Sequence, residues 1–363
     1  MADETTNRDS FQVQAGYCAA MGAPITARVA TVLGHSLTRD SETGRRVLDW
    51  PGEPVADALV LRLIGGLHAL YRRGVAEIAP VFSAAVTDEA EVAAILNRVF
   101  VEQDAELLPW LDGPPQTNEA GRSAGLMTGI LHLAQRYGPR VEVLEIGSSA
   151  GLNLLIGRYR FDLGGVRVGP EKSPVEIRPE WRGSPPPAVP VAIVSTRGVD
   201  IQPLDVSGDR DAERLQAYCW VDNVERQARL EKTLAMARAY GVDLVQGDAA
   251  DWVEARLAEP QAEGVTRVLM HSVVWQYLPP ATQHRIAVAM EAAGARATPK
   301  QPLGWVMMEP NRDLHAHEVR VRGWPGDTPM EMVARTHAHG AWVEGLDPPY
   351  ETRPYVMRAS AAA

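Results

Sequence analysis

One stretch constrains this chain more than any other: Val141-Glu-Val-Leu-Glu-Ile-Gly-Ser-Ser-Ala-Gly-Leu-Asn-Leu154. An apolar, β-branched run leads into Glu145, then Gly147, Ser148, Ser149, Ala150 and Gly151. Leu152, Leu155 and Ile156 then follow at helical spacing. The pattern predicts a buried strand, a tight turn and a helix start. Glycines at 147 and 151 admit backbone N–H groups where a Cβ would block a ligand. The spacing is Glu-x-Gly-x-x-x-Gly, which is not the Gly-x-Gly-x-x-Gly dinucleotide fingerprint. No Gly-Lys-Ser/Thr follows to hold phosphates.

Composition narrows the setting. With 363 residues and 45% hydrophobic content, the chain is long enough for two domains or one enlarged α/β domain. A net charge of −10 argues against a nucleic-acid surface. The two cysteines, Cys18 and Cys219, build neither a disulfide framework nor a cysteine metal site. The N-terminus is polar and acidic, unlike a signal peptide, and no apolar run has membrane-spanning length. The expectation is a cytoplasmic protein with no nucleic-acid or membrane partner.

Residues 1–112 read as a helical N-terminal domain, with helices over Phe11–Met21, Ile25–Leu37, Val55–Tyr71 and Glu89–Leu108. Pro114-Pro115 mark a hinge, and Thr117 or Asn118 caps a helix from about Glu119 to Tyr137. From residue 113 to the end, strands alternate with helices, which implies a mostly parallel sheet. The strands fall at Val141–Ile146, Val191–Asp200, Val242–Asp248, Arg267–Val274 and Leu303–Pro310. Between the first two lies a hairpin around Gly164-Gly165 and an irregular, proline-rich stretch, together an insertion at about 158–190. One long helix is expected over Asp209–Tyr240, another from Pro280 to Gly294. The tail reads as strands near 315–322, 341–344 and 353–357, with a helix over Met330–His339.

Ligands of open α/β sheets bind beyond the carboxyl ends of the strands. Those ends carry Glu145, Gly147, Asp200, Asp248 with Ala249, His271 with Ser272, and Glu309. An acid there can accept ribose hydroxyls, a second can meet an adenine amino group, and the glycine turn can underlie a chain. Asp200 is assigned to the ribose and Asp248 to the adenine edge; a helix cap is the competing role for each. Ser148, Ser149, Ala150 and Asn153 complete the turn. Gln116, Asn118, Glu119 and Arg122 precede the first strand as further ligand candidates, Arg122 as a partner for a carboxylate. In the helical segment Tyr17, His35 and His68 are the polar candidates, with core packing as the alternative. His271, Tyr277 and Glu309 are the candidates for a general base. Gly147-Ser-Ser-Ala-Gly151 is one residue off a hydrolase elbow, which leaves Ser148 or Ser149 with His271 as an alternative. His315 with His317 on one strand face, and His337 with His339, form His-x-His pairs without an acidic or cysteine partner, so no metal is expected.

The glycine turn looks like the first motif of S-adenosylmethionine-dependent methyltransferases. The chain as a whole resembles a bacterial family, DUF2332, a domain of unknown function with a methyltransferase-like fold. The resemblance rests on Gln116-Thr-Asn-Glu with Arg122, Glu145 to Leu154, Arg197-Gly-Val-Asp-Ile-Gln-Pro-Leu-Asp205 and Gly247-Asp-Ala249. It rests also on His271-Ser-Val-Val-Trp-Gln-Tyr277 and His339-Gly-Ala-Trp-Val-Glu344. Val221 and Gly345 depart from the expected proline and tryptophan. The resemblance implies a class I methyltransferase-like, Rossmann-type sheet with S-adenosyl-L-methionine as cofactor. The expected activity is a methyltransferase with a small-molecule acceptor; a non-catalytic cofactor-binding protein of the same fold is the alternative. The helical domain is then expected to cap the crevice as a lid, or else to build a homodimer.

Overall fold

The computed structural model describes residues 3–311, 313–326 and 328–351. They divide into two units, Met1–Thr117 with Gly208–Glu231, and Asn118–Ser207 with Lys232–Ala363.

The first unit is helical. Its helices are α1 (Glu4–Ala20), α2 (Pro24–Ser36), α3 (Glu42–Leu48), α4 (Leu59–Arg72), α5 (Ala79–Phe82), α6 (Glu89–Glu102) and α7 (Asp104–Leu107). The later stretch adds Asp209–Ala217, which is α9 in chain order after α8 (Ser123–Tyr137) of the second unit. Apolar residues at three- and four-residue spacing build the core: Phe11 and Ala15 on α1, Val29 and Leu33 on α2, Leu63, Leu67 and Leu70 on α4. Asp222 shows why residues 208–231 belong here. Ala23 supplies no side-chain cap to α2. Asp222 does so instead, accepting from the Ile25 N–H at 2.8 Å, the Thr26 N–H at 3.1 Å and the Thr26 hydroxyl at 2.6 Å. The single helix expected over Asp209–Tyr240 is therefore two, α9 and α10 (Val224–Tyr240), with a break in which Cys219 and Trp220 are buried.

The second unit is mixed α/β. Its strands are β1 (Arg140–Ile146), β2 (Arg160–Leu163), β3 (Val166–Val168), β4 (Glu176–Ile177), β5 (Glu180–Gly183), β6 (Ala192–Asp200), β7 (Leu244–Gln246) and β8 (Thr266–Ser272). β9 (Leu303–Asn311), β10 (Ala316–Trp324), β11 (Glu331–Thr336) and β12 (Trp342–Glu351) follow. Nine of them form one sheet in the order β5-β12-β11-β10-β9-β8-β1-β6-β7. The run β9-β8-β1-β6-β7 is parallel throughout. The chain passes from β1 outward to β6 and β7, then returns to β8 and β9 on the other side of β1, so the order reverses between β1 and β8. β10, β11 and β12 extend the sheet antiparallel. A separate small sheet holds β3-β2-β4.

Each face of the large sheet is covered. α8 lies on one: at Gly125 and Gly129 an added Cβ would meet Val319 and Val306 side chains at 3.0 and 2.6 Å, so the helix sits close upon β9 and β10. On the other face Leu144, Ile146, Leu269, Trp305 and Met307 pack with Val253 of α11 (Ala249–Ala258) and with Ile286 and Met290 of α12 (Pro280–Gly294).

Four local expectations are corrected. Residues 331–336 form β11, not a helix. Met330, Val333 and Ala334 imitate helical spacing, but antiparallel pairing with both β10 and β12 supplies the backbone partners. The proline-rich stretch before β6 is not wholly irregular, because β5 joins the sheet edge parallel to β12. A 3₁₀ segment, Leu152–Arg158, replaces the α-helix expected after the glycine turn. His315 is not in a strand: it has φ 49° in the turn before β10 and so does not pair with His317 on one face. The strand expected near 353–357 lies outside the described residues.

Candidate functional site

β1 is the parallel strand beside which the strand order reverses, and the glycine turn forms its carboxyl end. Gly147 and Gly151 have φ of 66° and 71°, and Ser149 between them has φ 55°. Left-handed backbone favours glycine at the first two; at Ser149 it stores strain that the surroundings must hold. They do so with four hydrogen bonds, three from main chain to main chain and one to the Asp200 carboxylate. The Ser148 N–H donates to the Val199 carbonyl at 3.2 Å, and the Gly151 N–H to the Ser148 carbonyl at 2.8 Å. The Ser149 carbonyl accepts the Leu204 N–H at 3.0 Å, and the Ser149 N–H donates to Asp200 Oδ2 at 2.8 Å. Asp200 Oδ1 accepts the Gln202 N–H at 2.8 Å. The acid at the end of β6 is thus fastened to the turn at the end of β1.

Beneath the turn Glu145 is 1% exposed. Its Oε1 accepts the Asn153 amide N–H at 3.0 Å. Burial pushes its carboxyl up to about 7, with the hydrogen bonds from Asn153 and Ser148 acting against it, Asp200 with it and Arg122 against it. The Ser148 hydroxyl donates to the Glu145 carbonyl at 3.1 Å. Asn118 Oδ1 accepts the Leu152 N–H at 2.8 Å and so starts the 3₁₀ segment; Ala150 is buried. Glu119 accepts the Gly121 N–H at 2.7 Å, and Arg122 Nε donates to the Ala338 carbonyl at 3.0 Å. Both side chains are buried.

A second cluster lies at the ends of β8 and β9. His271 Nδ1 and Glu309 Oε1 are 2.7 Å apart, with His271 fully buried and stacked on Trp275 at 5.1 Å. The same Oε1 accepts the Val274 and Trp275 N–H groups, each at 3.2 Å. Glu309 therefore fixes both the imidazole and the loop that leaves β8. That loop is strained: Val273 has φ 56°, an outlier for a β-branched residue. Val274 then packs over the glycine turn, where an added Cβ on Gly147 would lie 2.3 Å from its Cγ2. Ser272 is buried, whereas Tyr277 is 73% exposed.

The structure brings together Glu145, Gly147, Ser148, Ser149, Ala150, Gly151, Asn153, Asn118 and Asp200, and separately pairs His271 with Glu309. Asp248 takes the competing role weighed for it: its Oδ1 accepts the Ala250 and Asp251 N–H groups at 2.9 and 3.0 Å, and Ala249 begins α11. In the helical unit, His68 Nδ1 meets the Ala217 carbonyl at 2.9 Å and its ring stacks on Phe82. Burial lowers it to about 4. Tyr17 packs edge-on to Trp220, and His35 Nε2 meets Gln12 Nε2 at 3.2 Å. Gln116 also falls within that unit. Among the described residues no group of three or more His, Cys, Asp or Glu could hold a metal ion. No helix among them is long and apolar enough to cross a membrane.

Sequence reasoning missed Val273, Val274 and Trp275 as parts of this site, and Trp305, whose ring lies 6.2 Å from that of His271. The adjacency of the Val-Val pair to His271 was the available signal, but nothing local reveals a left-handed valine.

A family model described as an uncharacterized protein conserved in bacteria, DUF2332, matches residues 8–344. No curated protein and no solved structure matches the chain.

Proposed function

The chain belongs to the DUF2332 family, and we propose that it is an S-adenosyl-L-methionine-dependent methyltransferase acting on a small-molecule acceptor. One observation carries the reading: Asp200, at the end of the strand beside β1, has its carboxylate fastened to the Ser149 N–H of the glycine turn. This couples an acid suited to ribose hydroxyls with a turn suited to the rest of the ligand, beside the point where the strand order reverses. The class I methyltransferase-like form of the sheet is part of the proposal.

The residues fit such a cofactor in part. Each Asp200 oxygen has one N–H donor in this structure and retains lone-pair capacity for a hydroxyl. Gly147 is covered by Val274 and Ala150 is buried, so the turn would hold the ligand along Ser149. When bound, the cofactor supplies an electrophilic methyl group. The chain's residues then need mainly to orient an acceptor in line with it and exclude water. His271, whose Nδ1 meets Glu309 and whose Nε2 is buried without a hydrogen-bond partner, stays the candidate base. Ser148 is fully buried with its hydroxyl on the Glu145 carbonyl, which favours the transferase reading over a hydrolase built on that serine.

Calorimetric titration with S-adenosylmethionine and S-adenosylhomocysteine tests the cofactor. Release of the demethylated product over a panel of small oxygen and nitrogen acceptors tests the reaction. Binding with no turnover on any acceptor would move the reading to a cofactor-binding protein.

A further inference from the structure

The Glu145–Asn153 pair leaves two buried oxygens without a partner, Glu145 Oε2 and Asn153 Oδ1. Both residues are about 1% exposed. An ionised carboxylate only accepts hydrogen bonds, as does an amide oxygen, so in that state neither atom can satisfy the other. Two unmet acceptors at full burial are costly, and one of them carries charge. A single proton removes the conflict.

We propose that Glu145 is held as the neutral acid, its Oε2–H donating to Asn153 Oδ1 while the Asn153 N–H donates to Oε1. Glu145 is then a positioning residue. It clamps the 3₁₀ segment after Gly151 onto the end of β1 and offers no charge to a ligand on the turn. This differs from its assignment as a cofactor contact, and it rests on the two unpartnered buried oxygens and the one hydrogen bond between these side chains, whatever the turn binds.

The groups facing Glu145 divide: the Asn153 and Ser148 hydrogen bonds favour its ionised form. Asp200, from β6, opposes ionisation by its negative charge, and Arg122, from the turn before α8, favours it. Tyr159, beyond the 3₁₀ segment, interacts with Glu145, but its hydroxyl donates to the Leu152 carbonyl. Burial outweighs these and moves the carboxyl up to about 7. A folded-state value above the ordinary carboxylate value means that the proton stabilises the fold. That contribution is full below the unfolded value and is lost as pH rises through about 7. The clamp is therefore closed in mild acid and loosens in mild alkali.

The test is chemical unfolding of the full chain and of Glu145→Gln from about pH 5 to about pH 8. Glutamine keeps both hydrogen bonds and cannot ionise. The expected result is a wild-type midpoint that falls with rising pH relative to that of Glu145→Gln. The infrared spectrum should also show a protonated-carboxyl band in the wild type near pH 6 that Glu145→Gln lacks. Parallel pH profiles, or a Glu145→Gln variant that does not fold, would overturn the proposal. Cofactor titration of the same samples separates the two claims: no binding by either protein defeats the proposed function and leaves the pH result standing.

Discussion

The Ser149 N–H donates to Asp200 Oδ2 at 2.8 Å, joining a left-handed residue in the turn after β1 to the acid that ends β6. The bond sets the turn's shape through an acid at a strand end. On the proposed function Asp200 has a second role, in recognition, and its substitution should then touch both stability and binding.

Gly147 and Val274 form a second such pair. Gly147→Ala places a Cβ against Val274 and imposes an L side chain at φ 66°. It should destabilise the protein by about 1–3 kcal/mol. Val274→Ala in the same chain should recover the steric part and leave the backbone part. A double-mutant cycle in denaturant reads this as a coupling energy of roughly 0.5–3 kcal/mol; additive effects would deny the contact.

Glu309 serves His271 and two loop amides with one oxygen. Glu309→Ala should cost about 3–5 kcal/mol because it strands buried polar groups. Replacing both His271 and Glu309 should cost clearly less than the sum of the single changes. Equilibrium unfolding of the four proteins decides this, and strict additivity would contradict the network.

Asp222→Ala should lower stability by about 0.5–2 kcal/mol, because α2 loses the acceptor for its first N–H groups. Proteolytic cleavage mapping should find α2 opening first. Protection of α2 unchanged from wild type would deny the cap.

Buried His68 and half-buried His132 and His317 are lowered to about 4, in each case chiefly by desolvation. Their neutral forms stabilise the fold above the ordinary value, and that stability is lost as pH falls from about 6.5 through about 4. His68→Phe should flatten the acid limb of the stability profile; an unchanged limb would mean that His68 is not buried neutral.

Much of the parallel core was legible because β1, β8 and β9 carry largely apolar, buried runs, and because a glycine follows β1 and an acid ends β6. β11 was not, since its register is decided by partners on both sides and its apolar spacing fits a helix as well. The placement of Asp200 and of the glycine turn at strand ends could be read from the sequence alone. The pairing of His271 with Glu309 spans 38 residues, and Asp222 caps a helix 197 residues away. Such contacts follow from topology, which no local pattern contains. Asp248 shows the converse: position suggested a ligand, and the nearest free N–H groups, those of α11, took the carboxylate.

Calorimetric titration of S-adenosylmethionine into the wild type and into Asp200→Ala tests the central claim most directly. Saturable one-site binding to the wild type is expected, with a loss of about 1–3 kcal/mol of binding free energy in a folded Asp200→Ala variant. No binding by the wild type, or equal affinity in the two proteins, would contradict it.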